Sequence, residues 1–475
     1  MKREEELLDA IGQVGDDLVA EAKRTKKKRK KWWLAPVAAA LALAILAGVS
    51  LAPGKEGAAL KVNALAAVQY PETVAYPKDF EDEKHFEAYE EWWQASWARR
   101  EQYDVDTVDL DGFYRSTMEQ FLTGTDGENR VYSPLNIYIA LGMLAEITDG
   151  NSRRQILDAL GAENMETLRQ QVELLWNANY VDDGLVTSIL ASSLWLREGQ
   201  DYNQQTLRQL AETYCAESFA GEMGSADLNQ AFQSWLNERT GNLLEDQIGE
   251  LKLKQETVIA LATTIYFKAS WSEKFAEGQT RDRVFHGSSG DELVPFMYRS
   301  DHQNYYWGEN FSAVEVGMSG NAGGMTIILP DEGVAVEDLL TDKAVQDFLL
   351  GEGEWENQKS LTVNLYLPKF DVSSQLDLSK TLPELGITDV FDPAVSDFTP
   401  LSEDLKNLAV SQAQHGARVT VDEGGCVATA YTIIMMDECA MEFRDEMDFV
   451  VDRPFLFVIT SDQGCPLFIG VVNHP

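Results

Sequence analysis

The chain has 475 residues, 44% hydrophobic and 25% charged. That is a globular composition, with room for one large domain or two or three ordinary ones. The net charge of −39 argues against a nucleic-acid partner, because a phosphate backbone needs a basic face. Four cysteines are too few for a disulfide scaffold.

The charge is uneven. Residues 1–31 hold 10 Lys/Arg and 7 Asp/Glu, a net of +3, and the remainder carries −42. Between them lies an uncharged run, residues 32–52 (WWLAPVAAALALAILAGVSLA), long enough to span a hydrocarbon core of about 30 Å as a helix. Trp32 and Trp33 stand where an interfacial anchor belongs, and the basic run Lys23–Lys31 predicts an N-terminus inside the cell. The expectation is a single-pass cell-membrane protein with its main domain extracellular. A cleaved signal peptide is the alternative, and it would make the domain secreted; the length of the run favours the anchor. Residues 1–31 are read as a cytoplasmic basic and amphipathic segment.

Residues 53–79 lack sustained periodicity and read as a stalk. Residues 80–102 read as a helix whose aromatics, Phe80 to Trp97, form a packing face; together, 53–106 is assigned to stalk and aromatic-rich helix. From 107 to 475 no break is evident. Helical patterns fall around 110–122, 134–147, 153–160 and 165–178. Val258–Phe267 is nearly all apolar, as for a strand buried on both faces. Leu361–Leu367 alternates, as for a half-buried strand. Pro454–Thr460 and Pro466–Val472 form a hairpin across Ser461–Gly464, and Pro330–Gly333 is a turn. Mixed helices and mostly antiparallel strands predict one large α+β domain.

The common enzyme motifs are missing: no H-E-x-x-H, G-x-S-x-G, P-loop or C-x-x-C occurs. The five histidines, His85, His286, His302, His415 and His474, lack metal-ligand spacing. The reading is therefore non-enzymatic, with no metal and no cofactor.

The informative segment is 421–444, VDEGGCVATAYTIIMMDECAMEFR. After Gly424-Gly425, alternate positions Cys426, Ala428, Ala430 and Thr432 are all small. A strand with one small-residue face can slide between two others without overpacking.

Here the sequence resembles the serpins, from about residue 107 to Pro475. Asn129–Leu135 is similar to the start of the family's central helix, with Ser133 as N-cap and Pro134 at the first helical position. Thr264–Trp271 resembles its N-A-I-Y-F-K-G-x-W strand. Leu367–Phe370, Leu385–Phe391, Phe449–Phe457 and Gly470–Asn473 complete six motifs in family order.

The resemblance implies a large central, mostly antiparallel sheet, two smaller sheets, about nine helices and an exposed reactive loop. It implies a suicide-substrate inhibitor of serine proteases, with a cysteine protease as a further possible target class. The cleaved loop inserts into the sheet and traps the acyl-enzyme. A non-inhibitory serpin acting as a surface binding or chaperone-like protein is the alternative. The hinge is carried over to Glu423, Gly425, Cys426, Ala428, Ala430 and Thr432, with Cys426 a departure from the usual Thr. Ser133, Asn136, Thr263 and His415 match the shutter under the sheet; Thr263 and Asn136 stand where the family has Asn and Ser, which predicts a network with swapped partners. His415 is expected to be a hydrogen-bonded structural histidine, and Trp271 a structural residue where insertion begins. Counting from the hinge places the reactive bond at Cys439–Ala440, suited to elastase- or subtilisin-like pockets. Met436, Met441 and Phe443 are fallback sites. Counting back from Pro454 gives Phe443–Arg444. Cys426 and Cys439 are also read, more weakly, as redox-active thiols.

Overall fold

In a computed structural model of the chain, the structure describes residues 62–77, 83–105, 108–249, 251–351, 355–405, 407–410, 413–426 and 445–475. The segments 1–31 and 32–52 lie outside the described residues. So do Ala428, Ala430 and Thr432, and Met436, Cys439, Ala440, Met441, Phe443 and Arg444 of the loop. Among the described residues, no helix is long and apolar enough to cross a membrane.

The chain begins with strand β1 (Asn63–Ala66) and helix α1 (Glu83–Gln102). Then come α2 (Asp111–Leu122), β2 (Arg130–Tyr132), α3 (Pro134–Ile147), α4 (Gly150–Leu160), α5 (Met165–Asn179), β3 (Val181–Asp182) and β4 (Thr187–Arg197). The next stretch is α6 (Gln204–Thr213), β5 (Ala216–Gly221), α7 (Ala226–Arg239), α8 (Glu245–Ile248) and β6 (Ile259–Ser270). Strands β7 (Arg281–Gly287), β8 (Gly290–Trp307), β9 (Phe311–Gly317) and β10 (Gly324–Pro330) follow. Short helices α9 (Val336–Leu340) and α10 (Lys343–Leu349) lead to β11 (Gln358–Pro368), β12 (Phe370–Asp377) and α11 (Leu378–Thr381). The chain closes with β13 (Gln414–Asp422), β14 (Gly425–Cys426), β15 (Glu446–Val450), β16 (Phe455–Thr460) and β17 (Pro466–Val472).

Two sheets organise these elements. The central one runs β1-β5-β4-β6-β14-β13-β12, with β3 beside β4. The second runs β15-β11-β8-β9-β10-β16-β17-β2, with β7 beside β8. The resemblance implied two smaller sheets; the 18-residue β8 pairs with both β11 and β9 and joins them into one path. The expected α+β architecture, helices packed on mostly antiparallel sheets, stands.

Helix α3 shows how sequence sets the layers. Ser133 Oγ accepts the Asn136 N–H at 3.3 Å, and Pro134 follows at the first helical position. The helix is apolar almost all round and almost wholly buried, as a helix inside a core must be. Its one buried acid, Glu146, takes both Arg169 nitrogens, Nε at 2.9 Å and the terminal amine at 2.6 Å, so that charge is not left unpaired. On β4, Leu194 and Leu196 enter the main core while Trp195 points into a second cluster with Phe219, Phe232 and Trp235 beneath α7, the period-2 alternation of a strand.

Strand β6 departs from expectation. Read as buried on both faces, it is mostly half-buried. Its edge toward β4 is paired from Ile259 to Lys268. Toward β13, among the described residues, it is bridged through β14 alone, at Ala269 and Ser270. Below that bridge a cavity of about 160 Å3 opens, lined by Leu236, Ile248, Leu261, Thr264, Gly416 and Ala417 among others.

The N-terminal segment also differs. Residues 63–77, read as stalk, pack on the domain: β1 adds an antiparallel edge strand to β5. Tyr70 stacks on Trp176 and Tyr180 at 6.1 and 5.6 Å, beneath the Arg239 guanidinium. Of the aromatic face of α1, Trp92 is buried and donates to Asp183 Oδ2 at 2.8 Å. Phe86, Tyr89, Trp93 and Trp97 are exposed.

Candidate functional site

Strand β13 ends in a turn that sends the chain back into its own sheet. Asp422 Oδ1 accepts the Gly424 N–H at 2.8 Å, a side-chain-to-backbone bond that suits Asp to turns. Two residues later β14 runs antiparallel to both neighbours: Gly425 opposes Asp422 and Ser270, and Cys426 opposes Val421 and Ala269. Gly425 has φ +152, and a Cβ there would lie 2.2 Å from the Ala269 carbonyl oxygen, so no other residue fits without moving backbone.

The turn is anchored from four sides. The Glu423 carboxylate accepts from Lys369 Nζ at 2.8 Å and Thr280 Oγ1 at 2.7 Å. Burial raises its pKa, but these partners outweigh it and hold the acid below its usual range. The Glu423 carbonyl accepts the Phe275 N–H at 3.2 Å, and the Gly424 carbonyl the Trp271 N–H at 3.2 Å. The Trp271 indole Nε1 donates to the Asp422 carbonyl at 2.8 Å, and its ring, 1% exposed, meets Phe275 edge-on. Cys426 is 2% exposed. Burial, with the Asp422 charge, pushes its thiol up to about 12. A protonated, enclosed thiol is neither nucleophile nor ready oxidant target, which corrects the redox reading of Cys426 for this conformation.

Seven and eight residues from the turn, on the same two strands, lies a second cluster. Ser133 N–H donates to His415 Nε2 at 3.0 Å. Asn136 Nδ2 donates to the Thr263 carbonyl at 3.3 Å, and Thr263 Oγ1 donates to the Asn136 carbonyl at 3.5 Å. The amide and hydroxyl thus trade backbone partners across the gap between α3 and β6. His415 is 5% exposed, and burial lowers its pKa to about 4; it is a neutral structural histidine. Glu423, Gly425, Cys426 and Trp271 therefore meet at one end of β6 and β13, and Ser133, Asn136, Thr263 and His415 meet further down.

The structure thus groups the residues that the serpin resemblance assigned to the hinge turn and to the polar cluster beneath the sheet, with two residues, Gly425 and Cys426, already paired between β6 and β13. The family model for serpins (serine protease inhibitors) matches residues 111–475. The chain belongs to the serpin family.

Among this serpin's relatives is porcine (Sus scrofa) plasminogen activator inhibitor 1, 30% identical over 370 residues, covering 75% of this chain and 89% of that protein. Rat (Rattus norvegicus) neuroserpin is 28% identical over 376 residues, covering 74% and 87%. Among solved structures, the native state of a thermophilic serpin, tengpin, superposes with a TM-score of 0.70 at 23% identity, covering 88% of this chain and all of that one. An Arabidopsis serpin in its native stressed conformation gives 0.66 at 26%, covering 77% and 98%. Serpins are generally protease inhibitors rather than catalysts.

His286 Nδ1 meets Asp291 at 2.7 Å and His302 Nε2 meets Ser360 at 3.1 Å, so the carboxylate and the hydroxyl lie beside different, exposed rings. Among the described residues, no group of three His, Cys, Asp or Glu is placed to hold a metal. The sequence reading did not name Lys369 and Thr280 as anchors of the hinge. Lys369 stood in a motif already quoted, but its partner is 54 positions away, and no spacing rule links them.

Proposed function

We propose that this serpin is a suicide-substrate inhibitor of serine proteases, with elastase- or subtilisin-like enzymes favoured over chymotrypsin- or trypsin-like ones. The observation that carries the reading is β14, two residues already wedged between β6 and β13. If the loop continues in that register, Ala428, Ala430 and Thr432 fall opposite Val419, Ala417 and His415, all buried positions on β13. Small side chains are what that face can accept without overpacking. Tyr431 falls opposite Gly416 and Thr264, on the other face. The same register carries Met436 opposite Ile259, the end of β6. A bond at Cys439–Ala440 would then leave the attached protease just past the sheet, which favours the hinge-side count over Phe443–Arg444.

The chemistry belongs to the target. Its nucleophile attacks the Cys439 carbonyl, the bond to Ala440 breaks, the new amine leaves, and an ester or thioester joins Cys439 to the protease. Insertion fills the slot between β6 and β13 with a strand paired on both edges before water completes deacylation. The run 32–52, behind Lys23–Lys31, supports display outside the cell on a single-pass anchor, with secretion as the alternative.

The test mixes the full-length chain with elastase-, subtilisin-, chymotrypsin- and trypsin-like proteases. An SDS-resistant complex and a released peptide beginning at Ala440 are expected. Cleavage by all four without a complex would sink the inhibitory reading and leave the non-inhibitory one.

A further inference from the structure

The central sheet has two parts, one on each side of β14. The first follows β6: β4 pairs with it from Thr187 to Leu196, and β3 and β5 pair with β4. The second follows β13, which pairs with β12 from Gln414 to Val421. Both of those strands are tied to the second sheet, Ser374 Oγ accepting the Val131 N–H at 2.8 Å and His415 Nε2 the Ser133 N–H at 3.0 Å. Val131 pairs with Gly470 of β17, and β17 with β16, so the β16–β17 turn goes with β13. Among the described residues, β14 alone joins the two parts within the sheet.

Buried beneath, α3 touches both parts, through His415 on one side and Thr263 on the other. Helix α1 is a further bridge, on the outside. Toward the first part, Trp92 Nε1 donates to Asp183 Oδ2 at 2.8 Å, and Asp183 Oδ1 accepts the Leu185 and Val186 N–H groups at 2.9 and 2.8 Å in the turn that leads into β4. Tyr76 N–H donates to the Asp183 carbonyl at 2.7 Å, and its ring meets Trp92 edge-on at 5.0 Å. Arg99 Nε donates to the Asn177 carbonyl at 3.0 Å, near the end of α5.

Toward the second part, the contacts fall on the β16–β17 turn. The Val105 N–H, just past α1, donates to Gln463 Oε1 at 3.3 Å, and Arg100 faces Asp462 at 4.0 Å. A helix keeps its length, because backbone bonds close every turn. Any change in the spacing of β6 and β13 therefore works against one end of this bridge. The Trp92 end is the stronger, a buried bond to a carboxylate. The Gln463 end is the weaker, one neutral bond beside an ion pair of a kind that contributes little at a surface.

We propose that α1 is a clasp between the two parts of the sheet, and that it limits how fast a strand enters between β6 and β13. The clasp presupposes the insertion proposed above. It predicts that weakening either end speeds entry, whereas an equally destabilising change inside one part does not.

The test uses the full-length uncleaved chain in detergent and a dye-labelled peptide copying residues 427–438 (VATAYTIIMMDE). Uptake is timed by fluorescence anisotropy, and insertion is verified by a rise in Tm. Trp92→Phe removes the indole donor, and Gln463→Ala removes the acceptor for Val105. Each should take up peptide about threefold faster or more, the effect of one modest hydrogen bond on a barrier. Thr117→Val is the control. It removes a buried bond to the Tyr132 hydroxyl, between α2 and β2 and so inside the second part alone, and it should lower Tm without speeding uptake. Unchanged or slower uptake in both clasp variants would overturn the clasp and leave insertion standing. Thr117→Val as fast as the clasp variants would also overturn it, since general instability would then explain the rates. A native chain that takes up no peptide would sink the insertion reading, and the clasp with it.

Discussion

His415 Nε2 accepts the backbone N–H of Ser133 at 3.0 Å, tying β13 to the first turn of α3 through a ring that must stay neutral. Protonation would turn the acceptor into a donor facing a donor. The folded pKa of about 4 lies below the ordinary 6.5, so the unfolded chain takes up its proton first as pH falls. This group's contribution is whole above pH 6.5, shrinks between 6.5 and 4, and amounts to about 3 kcal/mol across that window. Denaturant melts at pH 7 and 4.5 should show the loss in the native chain. His415→Asn should be less stable at pH 7 but flatter over this range. An equal slope in both proteins would contradict the assignment.

On the proposed inhibitory reading, Gly425 and Cys426 set the conditions for insertion. Gly425→Ala forces a Cβ to 2.2 Å from the Ala269 oxygen, which should push β14 out of the sheet. Cys426→Arg asks a 2%-exposed site to accept an unpaired charge. Both variants should still be cut by the target protease yet form much less SDS-resistant complex, moving from inhibitor to substrate. Cys426→Ser, similar in size, should keep most trapping. If Cys426→Arg traps as well as the native chain, the slot is not the route of insertion.

The parts of this reading that were visible in the sequence are those with local causes. Ser133-Pro134 marks a helix start wherever it occurs, and α3 begins there. The apolar hairpin 454–472 pairs as its turn residues require. Asn136 and Thr263 were legible as two departures from a family pattern; that each would bond the other's backbone carbonyl was not. Long-range geometry was not legible. Nothing in VIALATTIYF says that, among the described residues, the second edge of β6 is paired only at Ala269 and Ser270, because an apolar strand paired on one edge and one inside a closed sheet have the same composition. Nor does Tyr70 announce its seat between α5 and α7, more than a hundred positions away along the chain.

Trp271 ties the turn to the sheet through one side-chain bond. Trp271→Phe keeps the ring against Phe275 but removes the Nε1 donor, leaving the half-buried Asp422 carbonyl short of a partner. The expected cost is about 1–3 kcal/mol. The turn should loosen locally as well, so amide exchange at Gly424 and Gly425 should rise more than in β4. A uniform rise across the sheet would instead mean that Trp271 acts on global stability alone.

Tyr70 separates packing from hydrogen bonding in the N-terminal segment. Its ring lies against Trp176 and Tyr180, while its hydroxyl is buried without a partner; burial accordingly raises its pKa. Tyr70→Ala removes the ring and should cost about 2–4 kcal/mol, as large-to-small core changes do. Tyr70→Phe removes the unpaired hydroxyl and keeps the ring, so it should be neutral or stabilising by up to about 1 kcal/mol. Thermal melts of both variants decide the matter. If Tyr70→Phe destabilises as much as Tyr70→Ala, the hydroxyl has a partner in solution and the segment is held by hydrogen bonding. If neither shifts Tm, residues 63–77 are not docked as a stabilising part of the domain.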